Sequence, residues 1–139
     1  MAPSEPFEPF AHFKRLRAAL LMLLLGASAL LAHATPSATE EQLIDSLIQR
    51  VGKMSSMIFL RNGSEYRAAD AAKHMQAKYD YFKKELVTAE DFIQRCASRS
   101  EMTGQAYKVK LQDGAVHDAS EFLNGELRAL RQGTKKSSG

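Results

Sequence analysis

Apolar residues recur at helical spacing in four segments of the chain, and this pattern predicts four helices. The first predicted helix runs from Thr39 to Lys53, and Thr39 with Gln42 matches the capping-box pattern of a helix start. Its apolar face consists of Leu43, Ile44, Leu47, Ile48 and Val51. The second predicted helix runs from Ala68 to Leu86. Its apolar face consists of Ala68, Ala72, Met75, Tyr79, Phe82 and Leu86.

Two further amphipathic helices are predicted in the second half of the chain. Thr88 is expected to cap the third, which runs from Ala89 to about Arg99. Its apolar face consists of Ala89, Phe92, Ile93 and Cys96. Asp118 begins the fourth helix, with Glu121 three residues later. Its buried face consists of Phe122, Leu123, Leu127 and Leu130.

Two short segments between these helices carry the signals of β-hairpins. Asn62-Gly63 separates two β-prone runs, and both of these turn positions tolerate a positive φ. Asp113-Gly114 follows a segment around Val109 in which apolar residues alternate with lysines. The expected fold class is therefore α+β, with four helices around one core and two short β-hairpins.

The N-terminus has the features of an export signal. Three basic residues between positions 14 and 17 precede the apolar run 18–31, and an Ala-x-Ala cleavage pattern ends at Ala34. A membrane-spanning helix needs ~20 apolar residues, whereas a helix over this run rises only about 21 Å. The pattern therefore favours a cleaved signal over a retained membrane anchor.

This interpretation divides the chain into three segments. We expect a signal peptide at residues 1–34, a single exported α+β domain at residues 35–132 and a disordered tail at residues 133–139. The expected location is periplasmic or secreted, after cleavage near Ala34 and with no stable membrane anchor.

Charge and cysteine content exclude several classes of partner and cofactor. Of the 19 basic and 16 acidic residues, three and two lie in the predicted signal, so 16 basic and 14 acidic residues remain, a net charge of +2. These charges are interspersed, which argues against nucleic acid as a partner. The single cysteine, Cys96, cannot form an intramolecular disulfide or a zinc site built from paired cysteines. We expect no metal site and no cofactor.

Cys96 has two interpretations. As a nucleophile it would need a base, for which His74 and His117 are candidates, or nearby cations such as Arg95 and Arg99. As a core residue it would simply fill space in the apolar face of the third helix, and that position favours the core interpretation. His74 follows Asp70 by one helical turn and is expected to form an exposed pair with it.

The arginines form part of a candidate anion site. If the first hairpin folds over the third helix, three arginines and three hydroxyl groups could form a cradle for an anion or a carboxylate. These candidate ligand-binding residues are Arg61, Tyr66, Arg95, Ser98, Arg99 and Ser100. The alternative is that the arginines form structural salt bridges to Glu65 or Glu101.

Several strings in the chain resemble one known family. The segments Phe59–Tyr66, Thr88–Ser100 and Gly104–Tyr107, with the alanine-rich stretch after the first hairpin, are similar to the YfeK-like family of small exported bacterial proteins. The similarity extends from about Glu41 to Leu130. The family is a domain of unknown function, so the resemblance implies a bacterial, periplasmic setting and assigns no activity or catalytic residue.

Three functional hypotheses follow. The leading one is a non-enzymatic exported domain that binds an anionic group or the surface of an envelope protein. The alternative is a small hydrolase or thiol enzyme centred on Cys96. A third is a purely structural envelope protein.

Overall fold

A computed structural model describes residues 35–138 of the 139-residue chain. The predicted signal at residues 1–34 lies outside the described residues. Four α-helices and one four-stranded antiparallel sheet form the domain, which confirms the α+β class. No helix in the described part is long and apolar enough to cross a membrane.

Helix α1 spans Ala38–Gly52 and buries the five apolar residues that its spacing predicts. Its N-cap is Ser37, whose Oγ accepts a hydrogen bond from the Glu40 amide at 3.3 Å. The prediction that Thr39 caps this helix is therefore wrong. Ser37 and Glu40 form the same Ser/Thr-x-x-Glu/Gln pattern two residues earlier. The Glu40 carboxylate accepts hydrogen bonds from Arg131 and from the Ala89 amide.

Strands β1 (Ile58–Arg61) and β2 (Ser64–Arg67) form the first predicted hairpin. Its turn has positive φ at both Asn62 (50°) and Gly63 (77°), which confirms the asparagine-glycine signal. Strands β3 (Lys108–Lys110) and β4 (Val116–Asp118) form the second hairpin.

The two hairpins join into one sheet, in the order β2-β1-β3-β4, because β1 also pairs antiparallel with β3. Phe59 is opposite Tyr66 on one side and Val109 on the other, so these three side chains share one face. Phe59 and Val109 are buried in the core. Arg61, two residues beyond Phe59 on β1, shares that face.

Helix α2 spans Ala68–Phe82 and is followed by a 3₁₀ turn, Lys83–Glu85. It ends before Leu86, which is buried in extended backbone. The residues of α2 that face the core are Ala68, Ala71, Met75 and Tyr79. Ala72 and Phe82 of the predicted apolar face are only partly buried. The buried face of α2 is therefore rotated towards His74, compared with the predicted apolar face.

Helix α3, Ala89–Phe92, has the predicted Thr88 cap and a complete capping box with Asp91. It continues as a π-helical turn, Ile93–Ala97, instead of as regular α-helix. The Ser98 hydroxyl donates a 2.7 Å hydrogen bond to the Ile93 carbonyl and so satisfies a backbone group in this wide turn.

Helix α4 spans Ala119–Ser137 and packs Leu123 and Leu127 into the core. It passes through Gly133 and ends beyond Lys135 and Lys136, whereas the sequence predicts a disordered tail from residue 133. Lys135 and Lys136 lie in the last turn of the helix, where cations interact favourably with the helix dipole.

Candidate functional site

Cys96 lies in the π-helical turn and is fully buried. Burial raises the pKa of its thiol to about 11, although nearby Lys78 and Arg95 act in the opposite direction. A thiol with this pKa is almost entirely protonated at neutral pH, and the thiolate is the nucleophilic form. The geometry therefore supports the core interpretation of Cys96.

We predict that native Cys96 resists alkylation at pH 7.5. Addition of denaturant should make the thiol react fully with iodoacetamide, because unfolding exposes it and restores an ordinary pKa. The measurement is the mass increase with time in the presence and absence of urea. Rapid labelling of the native protein would contradict the buried placement.

The three arginines of the predicted cradle do not form one cluster of free cations. Arg95 donates to both oxygens of Glu101 at 3.2 Å, lies 3.8 Å from Glu85 and stacks over the Phe82 ring. Arg99 is exposed, and its backbone carbonyl accepts from Lys78. Arg95 thus forms the structural salt bridge to Glu101 that the sequence offered as the alternative.

The hairpin turn does meet the segment after α3, as the cradle hypothesis required. Asn62 Nδ2 donates to the Ser100 Oγ at 3.3 Å, and the Thr103 hydroxyl donates to Asn62 Oδ1 at 2.7 Å. Ser98 and Ser100 are both buried and bonded within the protein. These two hydroxyls hold the loop in place.

Arg61 and Tyr66 come together at the edge of the sheet. One guanidinium nitrogen of Arg61 donates to the Tyr66 hydroxyl at 3.1 Å, and the group lies 4.6 Å from the centre of the Tyr66 ring. The other terminal nitrogen is 2.8 Å from His74 Nδ1. His74 is half-buried on α2, so the prediction that it forms an exposed pair with Asp70 is wrong.

The contact between Arg61 and His74 fixes the tautomer of the imidazole. An arginine can only donate, so Nδ1 must accept and the proton of the neutral ring sits on Nε2. That Nε2 is buried and has no hydrogen-bond partner among the described residues. Since a buried donor without an acceptor is unfavourable, this position favours a bound acceptor.

Arg61 is also unusual in its charge environment. Four of the described arginines are half-buried. Three of them, Arg50, Arg95 and Arg131, form ion pairs with carboxylates. Within residues 35–138, Arg61 has His74 and Tyr66 as side-chain hydrogen-bond partners and no carboxylate ion pair. We call these three residues the Arg61 cluster.

A cavity of about 170 Å³ lies beside the Arg61 cluster, between the sheet and helix α2. All three residues of the cluster line it, and Asp70 and Tyr107 also contribute to its wall. The other lining residues are apolar side chains and Cys96: Phe59, Leu60, Ala71, Met75, Cys96, Ala97 and Ala119. Cys96 and Ala97 belong to the π-helical turn.

A surface groove adjoins the cavity and shares Arg61, His74 and Tyr107 with it. Lys78 lines the groove one helical turn after His74, and its ammonium group lies 3.8 Å from Glu101 and 5.7 Å from the Tyr107 ring centre. Burial lowers the pKa of Lys78, while Glu101 opposes that shift. The groove therefore adds Lys78 as a second cation near Arg61, and the carboxylate of Glu101 partly neutralises its charge.

His74 sits among cations, and its pKa is lowered from the usual 6.5, first by burial and then by Arg61 and Lys78. The unfolded chain binds a proton at pH 6.5 more readily than the folded one. Stability from this site is therefore present above pH 6.5 and is lost as the pH falls below it.

We predict that wild-type stability falls more steeply than that of His74→Gln between pH 7.5 and 5.5, by at most about 1.4 kcal/mol per pH unit. Urea unfolding at several pH values measures the difference. The matched control is His117→Gln, since His117 is exposed on strand β4. Equal slopes for His74→Gln and wild type would contradict the assignment.

Sequence reasoning identified Arg61 and Tyr66 but did not assign His74, Lys78 or Tyr107 to the site. The sequence does carry a signal for His74 and Lys78, because these residues lie one helical turn apart and next to the buried Met75 and Tyr79. Tyr107 makes an edge-to-face contact with His74, with ring centres 6.2 Å apart. That contact depends on long-range packing.

No group of three or more histidine, cysteine, aspartate or glutamate side chains in residues 35–138 is placed to hold a metal ion. The arrangement at the Arg61 cluster is chemically a donor site: a guanidinium and an imidazole N–H next to an apolar cavity. Such a site can bind an acceptor or an anion.

Comparisons with known proteins identify relatives of unknown role. The family model described as a family of unknown function (DUF5329) matches residues 38–131. The chain is 32% identical over 94 residues to "Uncharacterized protein YfeK" of Salmonella typhimurium, which covers 68% of this chain and 76% of the relative. These matches confirm the resemblance to the YfeK-like family. No solved structure matches the chain.

Proposed function

Because the chain belongs to the family of unknown function DUF5329, its role has to be inferred from its site, and we propose that it is an exported binding domain for an anionic small molecule. The observation that supports this proposal is the Arg61 cluster. A half-buried guanidinium has no carboxylate partner in the described residues, and the adjacent His74 Nε2–H has no acceptor. A bound carboxylate would accept from His74 Nε2–H, and Arg61, which donates to Nδ1 of the same imidazole, would offset the negative charge from across the ring.

The proposed location follows from the N-terminal sequence. The basic segment, the apolar run 18–31 and the cleavage pattern ending at Ala34 are those of an export signal.

The proposed binding site is smaller than the cradle predicted from the sequence, because Arg95 is already neutralised by Glu101. Arg61 and Tyr66 remain in the proposed site, and His74 joins them.

The test is thermal unfolding of the purified protein with acetate, benzoate, phosphate or sulfate at constant ionic strength. A carboxylate should raise the unfolding temperature, since a ligand at 100 times its Kd stabilises by about 2.7 kcal/mol. Arg61→Gln should remove this effect. Arg67→Gln is the matched control, because Arg67 belongs to the same hairpin but is exposed and lies outside the cavity lining.

Two results would overturn the proposal. One is a wild-type unfolding temperature that no anion changes. The other is an anion effect that persists in Arg61→Gln as strongly as in Arg67→Gln, which would place the binding elsewhere.

A second candidate function, docking of a protein, is favoured by two exposed apolar side chains that line the groove. Tyr81 is 80% exposed and Met102 is 94% exposed. A second copy of the chain is the partner that can be tested directly. Sedimentation at increasing concentration should then show a dimer that Tyr81→Ser weakens, and a monomer at all concentrations would count against self-docking.

A further inference from the structure

The size of the cavity beside the Arg61 cluster limits what it can hold. Its volume is about 170 Å³, and an apolar cavity of ~150 Å³ is known to accept a benzene molecule. One six-membered ring therefore fits, whereas a bicyclic or long-chain body would have to extend into the groove.

The chemistry of the wall agrees with an aromatic body. Most of the lining is apolar, and the sulfur-containing residues Met75 and Cys96 are among the residues that form it. Sulfur makes favourable contacts with aromatic rings, usually at the ring edge. The lining also includes the aromatic side chains of Phe59 and Tyr107, and aromatic rings attract one another in edge-to-face arrangements.

The polar groups of the lining set the charge of the ligand. Arg61 provides one full positive charge without a carboxylate partner, and neutral His74 provides a donor without charge. Asp70 lines the same cavity and would repel additional negative charge. Lys78 lies on the groove side and already has Glu101 nearby. This balance favours a ligand with a single negative charge over a phosphate dianion.

We infer that the site takes a small aromatic monocarboxylate of the benzoate class, with its ring in the cavity and its carboxylate at His74 Nε2–H, across the imidazole from Arg61. This inference rests on the proposed function, because it identifies the ligand class of the same site. Both halves of the ligand are required: the carboxylate accepts from His74 Nε2–H, and the aromatic ring fills the apolar volume.

The experiment is calorimetric titration of the protein at pH 7.5 with benzoate, with acetate as the head group alone and with benzene as the body alone. Benzoate should bind at least roughly tenfold more tightly than acetate, since even one methylene in an apolar pocket contributes about tenfold or more. It should also bind more tightly than benzene.

Cavity-filling variants locate the binding. Ala71→Leu adds three carbon atoms to the cavity wall and should weaken benzoate binding by about tenfold or more. The matched control is Ala69→Leu, an exposed position on the same helix outside the lining, which should bind benzoate like the wild type. Ala119→Val fills the same cavity and replaces Ala71→Leu if that variant does not fold.

The outcomes separate this inference from the proposed function. Equal affinity for acetate and benzoate would overturn the aromatic assignment and leave the anion site standing. Binding of benzene when neither benzoate nor acetate binds would overturn the proposed function, as would the absence of binding by all three compounds. Benzoate affinity unchanged in folded cavity-filling variants would overturn the placement of the ring.

Discussion

Phe92→Ala is expected to lower the free energy of unfolding by about 3–5 kcal/mol. Phe92 is fully buried and makes an edge-to-face contact with Tyr79, with ring centres 5.7 Å apart. Truncation would remove a large apolar area and leave a cavity between α2 and α3. Helix α3 is only four residues long, so its stability comes from this packing and not from its own backbone.

Chemical denaturation with urea, followed by circular dichroism, measures this change. The control is Tyr81→Ala, which removes a side chain that is 80% exposed and should change stability by no more than about 0.5 kcal/mol. A Phe92→Ala variant within about 1 kcal/mol of wild type would show that the face of α3 is not part of the core.

Arg131→Gln is expected to destabilise the protein by about 2 kcal/mol, because it breaks a set of charged hydrogen bonds between helix ends. Arg131 donates to both carboxylate oxygens of Glu40, at 2.9 and 3.0 Å, and to Glu90 at 2.7 Å. Glu40 also accepts from the Ala89 amide at 2.7 Å. The contacts join the starts of α1 and α3 to α4, so the loss affects three elements together.

The same contacts predict that the stability of the fold decreases at acidic pH. The hydrogen bond from Arg131 holds the pKa of Glu40 below its usual value of 4.5, against the opposing effect of burial. A carboxyl with a lowered pKa stabilises the fold above its unfolded pKa, and this contribution is lost as the pH falls below about 4.5 through the folded pKa. Wild type should therefore lose more stability below that pH than Arg131→Gln does.

Urea unfolding of both proteins at pH 7 and at decreasing acid pH tests this account. Arg128→Gln is the matched control, since Arg128 is exposed on the same helix. If Arg131→Gln and Arg128→Gln have the same effect at pH 7, the Glu40 contact makes no special contribution to stability.

Local sequence signals were sufficient wherever one residue type determines a local conformation. The asparagine-glycine pair predicted the first hairpin, because its turn requires positive φ at both positions. Thr88 predicted the start of α3, because threonine is a favoured N-cap residue, and the structure shows a complete capping box there. The four helices followed from their apolar spacing.

Long-range features were not predictable in this way. The pairing of Ile58 with Lys110 joins the two hairpins across about half of the domain, and neither strand carries a signal for that partner. The π-helical turn at Ile93–Ala97 leaves the apolar spacing of α3 almost unchanged. At the start of α1, two overlapping capping patterns were present, and the sequence gives no local reason to prefer Ser37.

The candidate site shows the same limit. The sequence identified Arg61 as a candidate anion-binding residue. Its contact with His74 depends on how the sheet packs on α2, which the sequence does not indicate. The sequence neighbour Asp70 suggested an exposed pair with His74, whereas in the fold Arg61 contacts His74 Nδ1 at 2.8 Å. The cavity itself forms between segments that are far apart in the chain, so no local pattern indicates it.

The central claim is that His74 donates its Nε2–H to a bound carboxylate, while Arg61 donates to Nδ1 on the other side of the imidazole. Long-range ¹H–¹⁵N NMR spectra of the histidine side chains test it most directly, with signals assigned by His74→Gln. We predict that His74 is a neutral Nε2–H tautomer at pH 7.5 and that benzoate shifts its Nε2 signal, while the His117 signals stay unchanged. An Nδ1–H tautomer, or a His74 signal that saturating benzoate does not move, would contradict the account.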